Sequence, residues 1–278
     1  MSFKREQLIL IKCSAVISLM SAIIVTTSLS SDYWITGNAT AKNGSVEGKS
    51  LINYGLFKGF LQKRFFESPW EYNIYLTCIW DRNVCIWSCQ NNEGLRKKEV
   101  IQLLNNEETS PCTILRSIRS SSTTPLNETI DNSTKQFLNS GMFLTSIIFV
   151  VLTMISLYMS SILALVNCYI SPVITMLNIN GIMISSGLAF VFNFIGLIIF
   201  GYNYHNWIKE NIGIVDTIVG YYESSADLGY SYWIYLFTCI LSPIPIVLLH
   251  ARNMILMQSR AETTIVVAKT NDPTTALY

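Results

Sequence analysis

Charge is scarce in this sequence, and its distribution says more than its amount. Only 13% of the 278 residues are Asp, Glu, Lys or Arg, about half the roughly 25% usual in a soluble domain. Three tracts hold none at all: 19 residues from Cys13 to Ser31, 73 from Gln136 to Ile208 and 24 from Leu228 to Ala251. A helix needs roughly 20 apolar residues to cross a bilayer core, so these tracts have room for one, two and one spans. A formal net charge of +1, with no basic patch interleaved with aromatics, excludes a nucleic-acid partner. Histidine is nearly missing too. His205 and His250 are the two present, and both read as structural or solvated. There is no HExxH, no glycine-rich phosphate loop followed by Lys and no nucleophile elbow. Ionisable groups inside spans mark transport paths, and here there is only Lys12, close enough to a span end to snorkel. The expectation is a protein that is not an enzyme and has no metal and no cofactor, with transport the least favoured activity.

What is present is four apolar runs. The first covers residues 8–30 and is followed by Tyr33 and Trp34, read as an interfacial aromatic anchor. A cleaved signal peptide is its rival reading, but the run is long for one and shows no sharp A-x-A site. The second span is placed at 141–166 and the third at 173–200. "NCYISP", Asn167 to Pro172, forms the turn between them, because Pro172 disfavours helix in the residue before it. The fourth lies at 232–250 and should be kinked by Pro243 and Pro245. Residues 1–7 and 251–278 remain as terminal segments, with loops at 31–140 and 201–231.

Two observations orient the chain. Lys4 and Arg5 precede the first span, and Arg252 and Arg260 follow the fourth, which predicts that both ends are cytoplasmic. Glycosylation sequons occur at Asn38, Asn43, Asn127 and Asn132, all inside the 31–140 loop, as expected if that loop faces the lumen and then the cell exterior. The reading is a multi-pass plasma-membrane glycoprotein whose first partner is the lipid bilayer.

Within the first loop, residues 117–135 are rich in Ser, Thr and Asn and read as a linker, leaving 33–112 as the structured part. Cys78, Cys85, Cys89 and Cys112 make an even set in an oxidising compartment, so disulfides are expected. "YNIYLTCI" and "NVCIWSC" read as two strands around "WDRN", Trp80 to Asn83. If Asp81 and Arg82 form a two-residue turn, Cys78 falls opposite Cys85, within disulfide reach; a longer turn would bring Cys89 to Cys78 instead, and the spacing leaves the pair open. A zinc site at Cys85 and Cys89 is disfavoured, since no histidine is near. Cys13 and Cys239 read as packing residues, and Cys168 as a packing or palmitoylation position. In the spans, Asn178, Asn180, Asn193, Ser185 and Ser186 are the polar residues singled out, with Asn193 read as an interhelical contact.

"INYGLFKG", Ile52 to Gly59, places Leu56 and Phe57 between two glycines in an otherwise polar loop. A strand resting on helix ends would need this combination: Gly55 for close backbone approach and Leu56 or Phe57 to plug the seam. Trp34, then Gly55-Leu56-Phe57, then the Cys78, Cys85 and Cys89 group, resembles the first-loop pattern of the claudin-like superfamily, with Phe57 where that pattern has a second Trp. The clarin family within this group is the nearer resemblance. It is carried by Tyr54-Gly55-Leu56-Phe57, by "VLTMISLYM" from Val151 to Met159, by Leu29 to Ile35, and by "AETT" from Ala261 with the terminal Leu277-Tyr278. The resemblance implies an all-α transmembrane four-helix bundle carrying a small disulfide-linked extracellular β-sheet in the first loop. It also implies a non-enzymatic protein that organises membrane or extracellular adhesion and signalling partners at sensory or synaptic membranes. Claudin-like cell–cell adhesion is the alternative, with self-association into a homo-oligomer left open.

Overall fold

The computed structural model describes residues 2–41, 49–65, 68–105, 107, 137–170, 177–209, 215–216 and 220–270. The sequons at Asn43, Asn127 and Asn132, Cys112, the linker expected at 117–135, Pro172 and the terminal Leu277-Tyr278 lie outside them.

Four helices among the described residues are long and apolar enough to cross a membrane. Helix α1 runs Ser2–Ser30, α3 runs Ser140–Tyr169, and α4 runs Ile179–Asn203 before one π turn at Tyr204–Ile208. The fourth is interrupted: α5 covers Tyr230–Leu241 and α6 covers Ile244–Thr270. The break falls at Ser242 and Pro243, and Pro245 sits in the first turn of α6, where a missing N–H leaves no helical bond unmade. The expected disturbance of the fourth span is therefore present. Helix α3 exceeds the expected 141–166 while staying inside the charge-free tract, α6 exceeds 232–250 because helical geometry continues past Arg252, and α4 begins at Ile179, later than the 173 expected for the third span.

A short helix, α2 at Glu93–Leu104, was not anticipated. Asn92 caps it, its side chain accepting from the Gly94 N–H at 2.8 Å, and Glu93 pairs with Lys97 one turn on. That exposed carboxyl is held below its usual range by the Lys97 hydrogen bond and charge.

The remaining elements are strands: β1 Ile35–Ala41, β2 Lys49–Tyr54, β3 Lys58–Phe65, β4 Ser68–Ile79, β5 Val84–Ser88, β6 Leu138–Asn139, β7 Val215–Asp216 and β8 Gly220–Leu228. They form one antiparallel sheet in the order β6-β5-β4-β3-β2-β1-β8-β7. This corrects the expected small first-loop sheet on an all-α protein. Eight strands take part, and two of them, β7 and β8, come from the second loop. Strand β8 reaches β1 because Gly229 and the start of α5 are hydrogen-bonded to the chain just before β1. The period-2 pattern sets the register. Ile35 faces Tyr54, which faces Gly59, which faces Ile74; one step along, Gly37, Ile52, Leu61 and Tyr72 align. Ile35, Ile52, Tyr54, Leu61 and Ile74 are buried on this one face. Burial pushes the Tyr54 hydroxyl far above its usual pKa, so it stays neutral. Among the described strands, Pro69 falls where β4 has β3 alone as partner, so its missing N–H breaks no described ladder.

On the opposite face, α2 covers β4 and β5. Val100 joins Val84 and Ile86 in an apolar cluster flanked by Ile79, Leu103, Leu104 and Phe137. Arg96 ties the helix down: its Nε donates to Thr77 Oγ1 at 2.9 Å, its Nη1 donates to the carbonyls of Gln90 and Asn91, and its guanidinium lies over the Tyr75 ring.

The two-residue turn count at 81–82 gives the observed register. Cys78 opposes Cys85, and the two form a disulfide. Cys89 is also disulfide-bonded, while Cys13, Cys168 and Cys239 are free. Mass mapping without reduction should therefore recover a Cys78–Cys85 peptide pair and find Cys89 blocked to alkylation. Recovery of a Cys78–Cys89 pair would refute this assignment.

The chain divides into two compact units. One comprises Met1–Ile23, Thr153–Val191 and Thr238–Tyr278; the other comprises Ile24–Leu152 and Phe192–Phe237.

Candidate functional site: the seam between the sheet and the helix ends

The second unit holds the sheet together with the adjoining ends of the long helices, and a polar and aromatic network surrounds Trp34. This residue is fully buried. Its backbone N–H donates to the Tyr54 carbonyl at 2.8 Å, and its carbonyl accepts from the Gly229 N–H at 2.8 Å. The pairing of β1 with its two neighbours thus begins at Trp34. Its indole Nε1–H donates to the Ser28 carbonyl at 2.7 Å. Ser28 is in the last turn of α1, where carbonyls lack the usual helical partner; its carbonyl accepts from the Ser31 N–H at 3.2 Å as well, and it gives the buried indole the acceptor it needs. Phe200 meets the ring edge-on at 4.8 Å and Tyr235 lies at 5.6 Å. Trp34 is therefore a core residue of the seam, which corrects its reading as an interfacial anchor. Tyr33 stacks on Tyr230 and meets Phe60 edge-on.

The turn from β2 to β3 closes with the Gly55 N–H donating to the Lys58 carbonyl at 2.8 Å. A Cβ on Gly55 would lie 2.7 Å from that carbonyl oxygen and 2.9 Å from the Asp32 Cα, and closer still to the Ser31 carbonyl oxygen. All three are backbone atoms, so none can swing aside. Glycine is required by contact with the chain leaving α1, as its place in "YGLF" predicts. Of the two apolar residues that follow, Leu56 is buried and Phe57 is 52% exposed. Leu56 is thus buried as a plug would be, and Phe57, the other candidate, is not. Lys58 and Asp32 make a 3.6 Å ion pair with Lys58 largely exposed, a geometry that contributes little.

Several seam residues escaped the sequence reading. A Cβ on Gly229 would meet the carbonyl carbons of Tyr33 at 2.8 Å and Trp34 at 3.1 Å. Next to it, Ser231 donates its N–H to the Tyr33 carbonyl at 3.2 Å and its hydroxyl to Ser31 Oγ at 2.7 Å, and its own carbonyl accepts from Ser28 Oγ at 2.9 Å. A glycine before the aromatic run "YSYW" was the available signal. Asn83 is the one described non-glycine residue with positive φ, 53°. Its Oδ1 accepts from both Ser140 Oγ and the Gly141 N–H at 2.9 Å, so the β4–β5 turn caps α3 from outside. Tyr204, in the π turn, donates its hydroxyl to the Ala226 carbonyl of β8.

Other predicted positions are dispersed. Asn38 is exposed in mid-β1, opposite Leu51 and Ser225. Among the described residues, no group of three or more His, Cys, Asp or Glu is placed to hold a metal ion. Asn193 does bond across helices, its Nδ2 donating to the Tyr235 carbonyl at 3.4 Å.

In the first unit, a serine chain links three helices. Ser160 of α3 lies 3.0 Å from Ser18 of α1 and 2.8 Å from Ser186 of α4, hydroxyl to hydroxyl. Ser161 donates to the Ala15 carbonyl and Ser185 to the Ser156 carbonyl. Small side chains permit the approach and the hydroxyls hold it. Interhelical bonds of this kind average about 0.6 kcal/mol. Ser160→Ala should therefore lower stability in SDS titration by about 1 kcal/mol, and Ser160→Leu by more, since a larger side chain would crowd both neighbours. Equal stability of Ser160→Leu and the parent protein would refute the close approach.

In comparisons with known proteins, no family model matches the sequence and no curated protein matches it.

Proposed function

We propose that this chain is a non-enzymatic, clarin-like four-span protein of the plasma membrane, with both termini cytoplasmic. It holds membrane or extracellular adhesion and signalling partners in place at specialised sensory or synaptic membranes. The observation that carries the reading is the seam. Trp34, Gly55, Leu56 and Gly229 fasten a sheet built from both loops to the ends of apolar helices, which suits a rigid platform presented at a membrane surface. The proposal of sensory membranes rests on the resemblance of Tyr54 to Phe57, Val151 to Met159 and the tail to clarins. An epitope tag after Tyr278 should be cleaved by protease added to the cytosolic side of sealed vesicles; a protected tag would overturn the topology. Proximity labelling in native tissue should recover adhesion or mechanotransduction proteins.

The contribution of β8 from the second loop to the first-loop sheet favours claudin-like adhesion as a second reading. The two separate in mixed cultures. An adhesion protein concentrates at contacts only where both cells express it, whereas a partner organiser is distributed without regard to expression in the neighbour.

A further inference from the structure

We infer that the β4–β5 turn, Trp80 to Asn83, is a lipid-binding foot seated in the headgroup region of the outer leaflet, with the Phe57 turn beside it as a second contact. The inference rests on the four-span reading above and deepens it. The Trp80 side chain is 58% exposed although it is the largest apolar group in its turn, and Asp81 and Arg82 next to it are exposed as well. Exposure alone does not distinguish Trp80, since isolated exposed apolar groups are common; its position relative to the helix ends does. Its depth is set by hydrogen bonds: Asn83 Oδ1 accepts from Ser140 and Gly141, and the Asn83 carbonyl accepts from the Ser140 N–H at 3.4 Å. These are the first residues of a candidate span, so the turn is held where that helix leaves the bilayer core. Phe57, 52% exposed, belongs to a turn that packs closely against Ser31 and Asp32, just past the end of α1. Indole rings favour this depth because the ring is apolar and its N–H still reaches polar groups. Arg82 adds a fork of donors suited to lipid phosphate. Chemistry and depth together specify one occupant, the phospholipid interface.

Trp70 supplies the internal control. It is 63% exposed, but it sits ten residues from Trp80 in sequence, at the far end of β4. At about 3.3 Å per strand residue, that is roughly 30 Å from Trp80. Trp70 should therefore contact water.

The test is tryptophan quenching of the full chain in phosphatidylcholine vesicles. Acyl chains are brominated either near the headgroup or near the terminal methyl, and each residue's emission is taken as the difference between parent and W80F, W70F or W233F. The Trp80 component should lose most of its intensity with shallow bromines and little with deep ones. The Trp70 component should respond only to aqueous acrylamide. Trp233, 55% exposed on α5, reports on the spans themselves. If Trp233 is quenched by brominated lipid and Trp80 only by acrylamide, the foot is refuted while the four-span reading stands. If Trp80 resists both quenchers, a protein and not lipid covers it, and the inference fails again. If Trp233 too is untouched by lipid, the four-span reading falls first.

Discussion

Gly55→Val should keep the protein from the cell surface, while Phe57→Ala two residues away should leave delivery nearly normal. At Gly55 an added Cβ meets three backbone atoms, of Ser31, Asp32 and Lys58. Overpacking of side chains typically costs about 1–3 kcal/mol, and rigid backbone neighbours put this case at the upper end or beyond. The chain leaving α1 would have to part from the β2–β3 turn, opening the seam. Leu56→Ala tests the same seam by removing its plug: truncating a buried Leu costs about 2–5 kcal/mol, a large share of a typical 5–15 kcal/mol. Phe57→Ala removes an exposed ring and should stay within about 0.5 kcal/mol. Surface biotinylation and glycan maturation of the three variants, with Lys58→Ala as control, read the outcome. Loss of Phe57→Ala together with normal maturation of Leu56→Ala would reverse the assignment of the plug.

Trp34→Ala should be the most damaging single truncation in the seam. A fully buried Trp replaced by Ala costs about 3–5 kcal/mol through lost burial and a cavity. Here it also removes the indole N–H bond to the Ser28 carbonyl, which keeps the Ser31 N–H at 3.2 Å as its other donor, so the added loss is that of one ordinary hydrogen bond, about 0.5–1.5 kcal/mol. Trp34→Phe separates the two effects. It keeps most of the packing against Phe200 and Tyr235 but loses the hydrogen bond, so its thermal stability in detergent should fall between those of the parent and Trp34→Ala. If Trp34 were instead an interfacial anchor, Trp34→Phe would be almost neutral in detergent and would weaken only bilayer-embedded protein.

Much of this architecture follows from local chemistry. The charge-free tracts locate the four long helices because no other element suits so long an apolar run. The hairpin around Asp81 and Arg82 places Cys78 opposite Cys85 because strand register is counted from the turn. Gly55 announces a close approach because no other residue would be needed there. Distant pairing is where local pattern stops. Leu56 and Phe57 are equally apolar and sit in a turn with no period to rank them, so only the position of the α1 exit decides which is buried. Trp34 follows a span and looks like an anchor; Phe200 and Tyr235, distant in sequence, make it core. Strand β8 has no apolar alternation in "GYYESSADL", and it joins the sheet because Gly229 brings the fourth span's mouth against Tyr33 and Trp34. Helix α2 shows its buried face only once β4 and β5 supply Val84 and Ile86. The serine chain is invisible along the sequence, because a hydroxyl's partner on another helix is fixed by how the helices pack and not by anything near Ser18, Ser160 or Ser186 in the chain.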